Sequence, residues 1–139
     1  MRSEVVGGVT VDLSKVTIPL YFQASREDHI APMNSVYRSA RLFGGDDVTF
    51  TLAGSGHIAG VVNPPAAGKY QYWTGDSKAA TLDEFIAGAS ETKGSWWPHW
   101  IDWIAAQDDK KVAVKGARIP GKGARKAIED APGRYVKQR

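Results

Sequence analysis

The chain has 139 residues, of which 42% are apolar and 24% charged, and this composition predicts a globular domain rather than a disordered or collagen-like chain. It contains no cysteine, which excludes disulfides, thiolate metal sites and a cysteine nucleophile within these residues. No apolar run reaches the length of about 18 residues that a membrane-spanning helix needs. Because no apolar segment follows residues 1–4, we expect no signal peptide and a cytoplasmic location.

The charge is unevenly distributed. The net charge is +3, but residues 1–109 carry 8 Lys/Arg against 13 Asp/Glu, whereas residues 110–139 carry 10 against 2. We therefore predict a body at 1–109 and a basic, Gly/Pro-containing tail at 110–139. A solvated surface segment is the simpler interpretation of the tail. Phosphate contacts by Lys122, Arg125 and Lys126 are the alternative, but no recognisable nucleic-acid module accompanies them.

The body begins with a strand–helix–strand pattern. Residues 16–24 are β-branched and aromatic, which predicts a largely buried strand. Pro32 suits a helix N-terminus, and apolar residues then recur every three or four positions over 33–43. Clean alternation over 48–53 predicts a second strand. This order is typical of a parallel pair of strands.

Further along, residues 66–80 are predicted to form a loop. Thr81 is predicted to cap a short helix, and Ser95 a second helix that ends at Ala106. A single helical turn is expected near 124–129. The second helix carries a cluster of tryptophans, for which packing on the sheet is favoured over a carbohydrate-binding or polymer-facing platform. These residues are Trp96, Trp97, Trp100 and Trp103.

The predicted sheet is incomplete. Two parallel strands do not make a stable sheet, and parallel sheets are covered on both faces. The chain is therefore predicted to be part of a larger α/β domain. The strand at 16–24 would have an open edge, through which we expect aggregation or dimerisation.

A polar turn follows each of the two predicted strands. The first turn contains Glu27, Asp28 and His29, and the second contains Ser55 and His57. In open α/β sheets, sites form at the carboxyl ends of strands. A carboxylate from one turn can there meet an imidazole from the other, fixing its tautomer and stabilising the imidazolium. The alternative is that Asp28 caps the following helix and His57 is a surface histidine.

Other site types are disfavoured. The glycines at 54–60 have G-x-G-x-x-x-G spacing, a loose variant of the dinucleotide-binding fingerprint, but Asn-Pro-Pro at 63–65 arrives too soon for the helix that this fingerprint opens. Three histidines without cysteine, and without close pairing in sequence, are a poor set of metal ligands. We therefore predict no metal site.

Five sequence segments carry a family resemblance. They are QASREDHIAP at 23–32, GSGHIAGVVNPP at 54–65, KYQYW at 69–73, GSWWP at 94–98 and APGRYVK at 131–137. In this order they resemble the polyhydroxyalkanoate synthases, also called poly(3-hydroxybutyrate) polymerases, of the short-chain-length, single-subunit type. The resemblance runs from about residue 16 to the end and concerns only the C-terminal part of such an enzyme.

The resemblance implies an α/β fold that is the C-terminal portion of an α/β-hydrolase, with parallel strands and flanking helices. Asp28 and His57 match the catalytic Asp and His of that family of acyltransferases. The family's nucleophile is a cysteine in a Gly-x-Cys-x-Gly turn, which transfers a 3-hydroxyacyl group from coenzyme A to the polyester. His57 would be the general base toward the thiol. Asp28 would either orient His57 or help to activate the substrate's 3-hydroxyl, and the sequence does not choose between these roles.

The resemblance also has departures and alternatives. Because this chain has no cysteine, we expect it to be inactive alone. Met33 stands where relatives often carry Trp. The resemblance implies no cofactor beyond the coenzyme A of the substrate, and implies 3-hydroxyacyl-CoA, the polyester, a granule surface or a second copy as partners. The alternatives are a non-catalytic module that binds a synthase or granule, and a nucleic-acid-binding protein that uses the basic tail.

Overall fold

The computed structural model describes residues 4–116, 119 and 121–138. The chain divides into two compact units, Met1–Gln107 and Asp108–Arg139. Residues 1–3, which bear on the signal-peptide prediction, and the side chain of Arg125 lie outside what is described. In the described part, no helix has the length and apolarity to cross a membrane.

The first unit is built on a four-stranded mixed sheet with helices, preceded by a small hairpin. The four strands of the sheet lie side by side in their order along the chain. In chain order the elements are β1 (Glu4–Val6), β2 (Val9–Val11), β3 (Leu20–Ser25), α1 (Met33–Ala40), β4 (Val48–Ala53), β5 (Gln71–Thr74), α2 (Leu82–Gly88), β6 (Ser90–Lys93) and α3 (Trp97–Gln107).

The predicted parallel pair is confirmed, with narrower bounds. β3 and β4 are parallel and pair residue by residue from Leu20 with Val48 to Ser25 with Ala53. β3 begins only after Pro19, a residue that cannot donate a backbone hydrogen bond to a neighbouring strand. On its other side β3 has no strand partner within the described residues, so the predicted open edge is present. Dimerisation through this edge stays a prediction.

The predicted parallel arrangement holds for β3 and β4 only, and the sheet as a whole is mixed. β5 runs antiparallel to β4, and β6 runs antiparallel to β5. The predicted loop at 66–80 therefore contains a strand. Its adjacent aromatic residues lie on opposite faces, since Tyr72 packs with Ala53 while Trp73 packs against the core on the other side. This alternation of side chains is characteristic of a strand, but four residues are too few to reveal it in the sequence.

The helices begin near their predicted residues. Thr81 caps α2 as predicted, since its Oγ1 accepts a hydrogen bond from the Glu84 N–H at 3.1 Å. α1 starts after Pro32 but ends at Ala40, before the predicted residue 43. The chain then turns back, and the Gly44 N–H donates to the Val16 carbonyl at 3.1 Å. A Cβ at Gly44 would overlap the backbone of Ser14, so this close approach requires glycine.

Side chains pack on both faces of the sheet. One face carries the larger core, which includes side chains from α1 and α2. The other face carries a smaller aromatic cluster, in which the buried Trp96 stacks on Tyr21 with ring centroids 6.1 Å apart. The predicted packing of the tryptophan helix on the sheet is thereby confirmed. The buried residues of the larger core are Ala24, Tyr37, Phe50, Leu52, Leu82 and Phe85.

Tyr21 links three elements on the second face. Its hydroxyl is hydrogen-bonded to Thr51 Oγ1 at 2.7 Å and to His99 Nδ1 at 2.8 Å, which joins β3 to β4 and α3. Burial raises the pKa of the Tyr21 phenol to about 12. The neutral hydroxyl is therefore part of the fold at ordinary pH.

The remaining segments are short. The β1–β2 hairpin, which was not predicted from the sequence, turns at Gly7 and Gly8, both with positive φ. In the second unit, 3₁₀ turns occupy Gly123–Arg125 and Tyr135–Lys137. The single helical turn expected near 124–129 is thus a 3₁₀ turn that begins one residue earlier.

The raised pKa of Tyr21 predicts a specific alkaline instability. An unfolded tyrosine ionises near pH 10, whereas the folded one holds its proton to about pH 12. The stabilisation is therefore complete below pH 10 and is lost as the pH rises toward 12. We expect it to amount to about 1–2 kcal/mol, reduced by partial exposure. Tyr21→Phe should flatten the free energy of unfolding against pH over this range, measured by urea denaturation, and an unchanged slope would contradict the assignment.

Candidate active site

The turns that follow β3 and β4 lie side by side. Because the two strands are parallel and in register, Ser25 and Ala53 end them at the same edge of the sheet. Two backbone hydrogen bonds continue beyond that edge, from the Arg26 N–H to the Ala53 carbonyl at 2.8 Å and from the Glu27 N–H to the Ser55 carbonyl at 3.0 Å. The first turn is thereby held against the second.

This alignment brings Asp28 and His57 together. Asp28 Oδ2 lies 2.7 Å from His57 Nδ1. Asp28 Oδ1 accepts hydrogen bonds from the backbone N–H groups of Ile30 and Ala31, both at 2.8 Å. Only 6% of the Asp28 side chain is exposed. Both oxygens of this nearly buried carboxylate are therefore engaged.

The hydrogen bonds to Asp28 also set its ionisation. The bond from the Ala31 N–H lowers the pKa of the carboxyl most, and the bonds from His57 and the Ile30 N–H lower it further, against the opposing effect of burial. Asp28 is thus a carboxylate at neutral pH. It does not cap α1, whose first residue is Met33 and whose N-cap, Pro32, has no side-chain cap. The alternative prediction that Asp28 caps this helix is wrong, because the N–H groups whose hydrogen bonds it accepts belong to Ile30 and Ala31, which precede the helix.

His57 presents one ring nitrogen to the carboxylate and the other outward. A carboxylate at Nδ1 requires a proton on that nitrogen, which leaves the lone pair on Nε2. The His57 side chain is 45% exposed, and Nε2 has no hydrogen-bond partner in the part of the chain that the structure describes. An oriented imidazole with an accessible Nε2 is suited to accept a proton from a substrate or a nucleophile.

The other predicted residues of the two turns do not join this pair. Glu27 and His29 are exposed, and neither side chain has a hydrogen-bond partner among the described residues. Ser55 contributes through its backbone: its carbonyl accepts the Glu27 N–H, and its φ is +75°. No three His, Asp or Glu side chains gather as a metal-binding group in the described ranges.

The loop after His57 is compact and does not form a helix. The Gly60 N–H donates to the Gly56 carbonyl at 2.8 Å, which closes a turn around His57. Gly60 lies against Ser25, the last residue of β3, so closely that a Cβ there would overlap the Ser25 side chain. A short 3₁₀ turn follows only at Pro65–Ala67, so the glycines at 54–60 do not open a helix of the dinucleotide-binding kind.

Two residues beside this loop were missed as part of the site. The indole Nε1 of Trp96 donates to the Gly60 carbonyl, and that of Trp97 donates to the Val61 carbonyl, both at 2.9 Å. Sequence spacing places Trp96, Trp100 and Trp103 on one helical face. Trp97 is one position away from that series. Its position was therefore the signal in the sequence that Trp97 has a role other than packing on that face.

Comparison with known proteins confirms the resemblance that the sequence motifs carried. No protein-family model matches the chain. The chain is 52% identical over 135 residues to the poly(3-hydroxyalkanoate) polymerase subunit PhaC of Rhizobium etli, which covers 97% of the chain and 21% of that protein. The PhaC subunit of Rhizobium meliloti is 50% identical over 135 residues, a match that covers 97% of the chain and 21% of that protein. The PhaC subunit of Cupriavidus necator is 46% identical over 132 residues, a match that covers 95% of the chain and 22% of that protein. The chain thus spans about a fifth of the length of these relatives.

The bonds at Asp28 predict the effect of a single substitution on His57. In Asp28→Asn the amide oxygen should take the position of Oδ1, because two backbone N–H groups point there. The amide NH₂ then faces His57 Nδ1 and donates to it, which forces the ring proton onto Nε2. Long-range ¹H–¹⁵N spectra should show this reversal of tautomer, with the His99 signals unchanged as an internal control. An unchanged His57 tautomer would contradict the described geometry.

The contact between Gly60 and Ser25 predicts a second effect. We expect Gly60→Ala to lower the free energy of unfolding by about 1–3 kcal/mol, because the added methyl group must displace Ser25 or the loop. Gly88→Ala is the matched control, since a Cβ at this last residue of α2 meets nothing within 4 Å. Thermal and urea unfolding would measure both variants. Equal effects of the two substitutions would show that the loop does not press on β3.

Proposed function

We propose that these residues are the part of a polyhydroxyalkanoate synthase that supplies the acid and the base of its catalytic site. The observation that carries this proposal is the Asp28–His57 hydrogen bond at the shared end of two parallel strands. The 52% identity to a poly(3-hydroxyalkanoate) polymerase over nearly the whole chain supports it. In this proposal the sheet is the C-terminal part of an α/β-hydrolase sheet, which continues beyond the open edge of β3.

The proposed reaction begins with the removal of a proton. His57 Nε2 takes the proton of a cysteine thiol, which residues outside this cysteine-free chain supply. The thiolate attacks the carbonyl carbon of a 3-hydroxyacyl-CoA, a new thioester forms, and the bond to the coenzyme A sulfur breaks. His57 returns the proton to that sulfur, and free coenzyme A leaves. The 3-hydroxyl group of another acyl unit then attacks the enzyme thioester and gives its proton to His57 Nε2. An ester bond forms, the bond to the cysteine sulfur breaks, and His57 returns the proton to the cysteine.

Asp28 has two possible roles in this scheme, and the geometry favours one. The carboxylate is almost buried, Oδ1 is held by two backbone N–H groups, and Oδ2 is held by His57. A group so fully occupied is suited to orient His57 and to stabilise its imidazolium form. Direct activation of a substrate hydroxyl would require one of these bonds to break first. We therefore assign Asp28 the orienting role.

The proposal also defines the partners. The 3-hydroxyacyl-CoA substrate carries coenzyme A with it, so we propose no bound cofactor for these residues. We propose that the reaction takes place in the cytoplasm, at the surface of the granule that the polyester forms. A second candidate function is a non-catalytic module that docks on a synthase or a granule. The open edge of β3 favours that candidate, because a strand of another chain could pair there.

A chimera tests the proposed function. The matching 135-residue segment of the Rhizobium etli polymerase would be replaced by this chain, and release of coenzyme A from 3-hydroxybutyryl-CoA measured. We expect the chimera to be active and the isolated chain to be inactive. His57→Gln and Asp28→Asn in the chimera should lower the rate by about 10³-fold or more, as in other triads.

His29→Gln is the matched control for the chimera, because His29 lies beside Asp28 in sequence but outside the pair. It should keep the rate within a few-fold. A folded but inactive chimera, or full activity without His57, would overturn the catalytic proposal. The docking candidate would then be tested by co-purification of the isolated chain with the intact polymerase.

A further inference from the structure

The start of α3 is bound to the loop that carries His57 through two neighbouring indole groups. Trp96 Nε1 donates to the Gly60 carbonyl and Trp97 Nε1 donates to the Val61 carbonyl, each at 2.9 Å. The two donors are adjacent in sequence, and so are the two acceptors. Gly60 and Trp96 are both buried, so the first of these bonds is shielded from water.

The two acceptor residues are themselves bonded to the peptide groups on either side of His57. The Gly60 N–H donates to the Gly56 carbonyl at 2.8 Å, one residue before His57. The Val61 and Val62 N–H groups donate to the carbonyl of Ile58, one residue after it, at 3.1 and 2.8 Å. A displacement of the Gly60–Val61 peptide would therefore shift the backbone on both sides of His57.

The donors are in turn fixed to the sheet. β6 ends at Lys93, and Gly94, with φ +95°, turns the chain while its N–H bonds to the Tyr70 carbonyl at 2.9 Å. Ser95 Oγ then accepts the Trp97 N–H at 3.1 Å and caps the first turn of α3, as the sequence predicted. The Trp96 ring stacks on Tyr21 of β3. The two indole groups are thus fixed to the sheet and to α3, whereas the His57 loop that they bind is an irregular turn.

We propose that Trp96 and Trp97 are positioning residues for His57, and that their indole N–H groups hold the His57 loop in the orientation that keeps Nδ1 on Asp28 and Nε2 outward. This inference rests on the proposed function for its catalytic consequence, but the structural effect is independent of it. Small displacements of a catalytic group are costly, since a shift of about 1 Å can lower a rate by about 10²-fold. In metal sites, hydrogen-bond partners behind the ligands orient those ligands in a comparable way.

The first test uses the isolated chain. Trp96 and Trp97 would each be replaced by phenylalanine and, to keep the ring shape and remove only the donor, by β-(3-benzothienyl)alanine. We expect the amides of Gly60, Val61 and Val62 to exchange hydrogen with solvent about tenfold faster or more, and the share of the Nδ1–H tautomer of His57 to fall. Amides of β4 should be unaffected. The matched control is Trp103→Phe on the same helix, whose indole N–H has no acceptor among the described residues.

The second test measures catalysis in the chimera with the Rhizobium etli polymerase. Trp96→Phe and Trp97→Phe should lower kcat for release of coenzyme A by about tenfold to a hundredfold, with KM within about twofold, and Trp103→Phe should change neither. Unchanged loop exchange and tautomer in the benzothienyl variants would overturn the inference, as would an unchanged kcat in an active chimera. An inactive parent chimera would count against the proposed function alone, and the measurements on the isolated chain would then decide the inference.

Discussion

The parallel register of β3 and β4 is the constraint on which the candidate site depends. Ser25 pairs with Ala53, so both strands end at the same level and their polar turns leave the sheet together. A slip of one residue would move every side chain of β3 to the opposite face of the sheet. Tyr21 would then lose its hydrogen bond to Thr51, and Ala24 would leave the larger core. The Asp28–His57 hydrogen bond is therefore a consequence of strand pairing, and burial on both faces of the sheet fixes that pairing.

The second face of the sheet links the paired strands to α3. The Tyr21 hydroxyl is hydrogen-bonded to Thr51 and His99, which fixes α3 against β3 and β4. α3 in turn places Trp96 and Trp97 over the carbonyls of the His57 loop. A residue pair at the end of two early strands is thus supported by a helix that begins about forty residues after His57. This arrangement explains why a site formed by two short turns has a defined geometry.

Local signals in the sequence were sufficient for part of this structure. The alternation over Val48–Ala53, the cap at Thr81 and the polar turns at Asp28 and His57 depend on neighbours in sequence, and each lies where it was predicted. The strands β5 and β6 were missed because they have four residues each and are defined by antiparallel pairing with β4 and with each other. A propensity pattern does not show such long-range pairing.

The indole hydrogen bonds beside the site were not predicted for the same reason, because they join residues that are far apart in the sequence. A tryptophan at helical spacing predicts burial, and Trp96 is buried, but the acceptor of its N–H lies 36 residues away. Only the folded chain brings that carbonyl within reach. The family resemblance supplied the roles of Asp28 and His57, and the structure adds the bonds that orient them.

The most direct test of the central claim, that His57 takes the proton of a cysteine thiol, is single-turnover release of coenzyme A against pH. It would compare the chimera with its His57→Gln variant. A thiol needs a base at neutral pH but ionises unaided near pH 8.5. We expect a slow first turnover for His57→Gln at pH 7 and substantial recovery as the pH rises above about 8.5. A rate equal to that of the parent chimera at pH 7, or no recovery at alkaline pH in a folded variant, would contradict it.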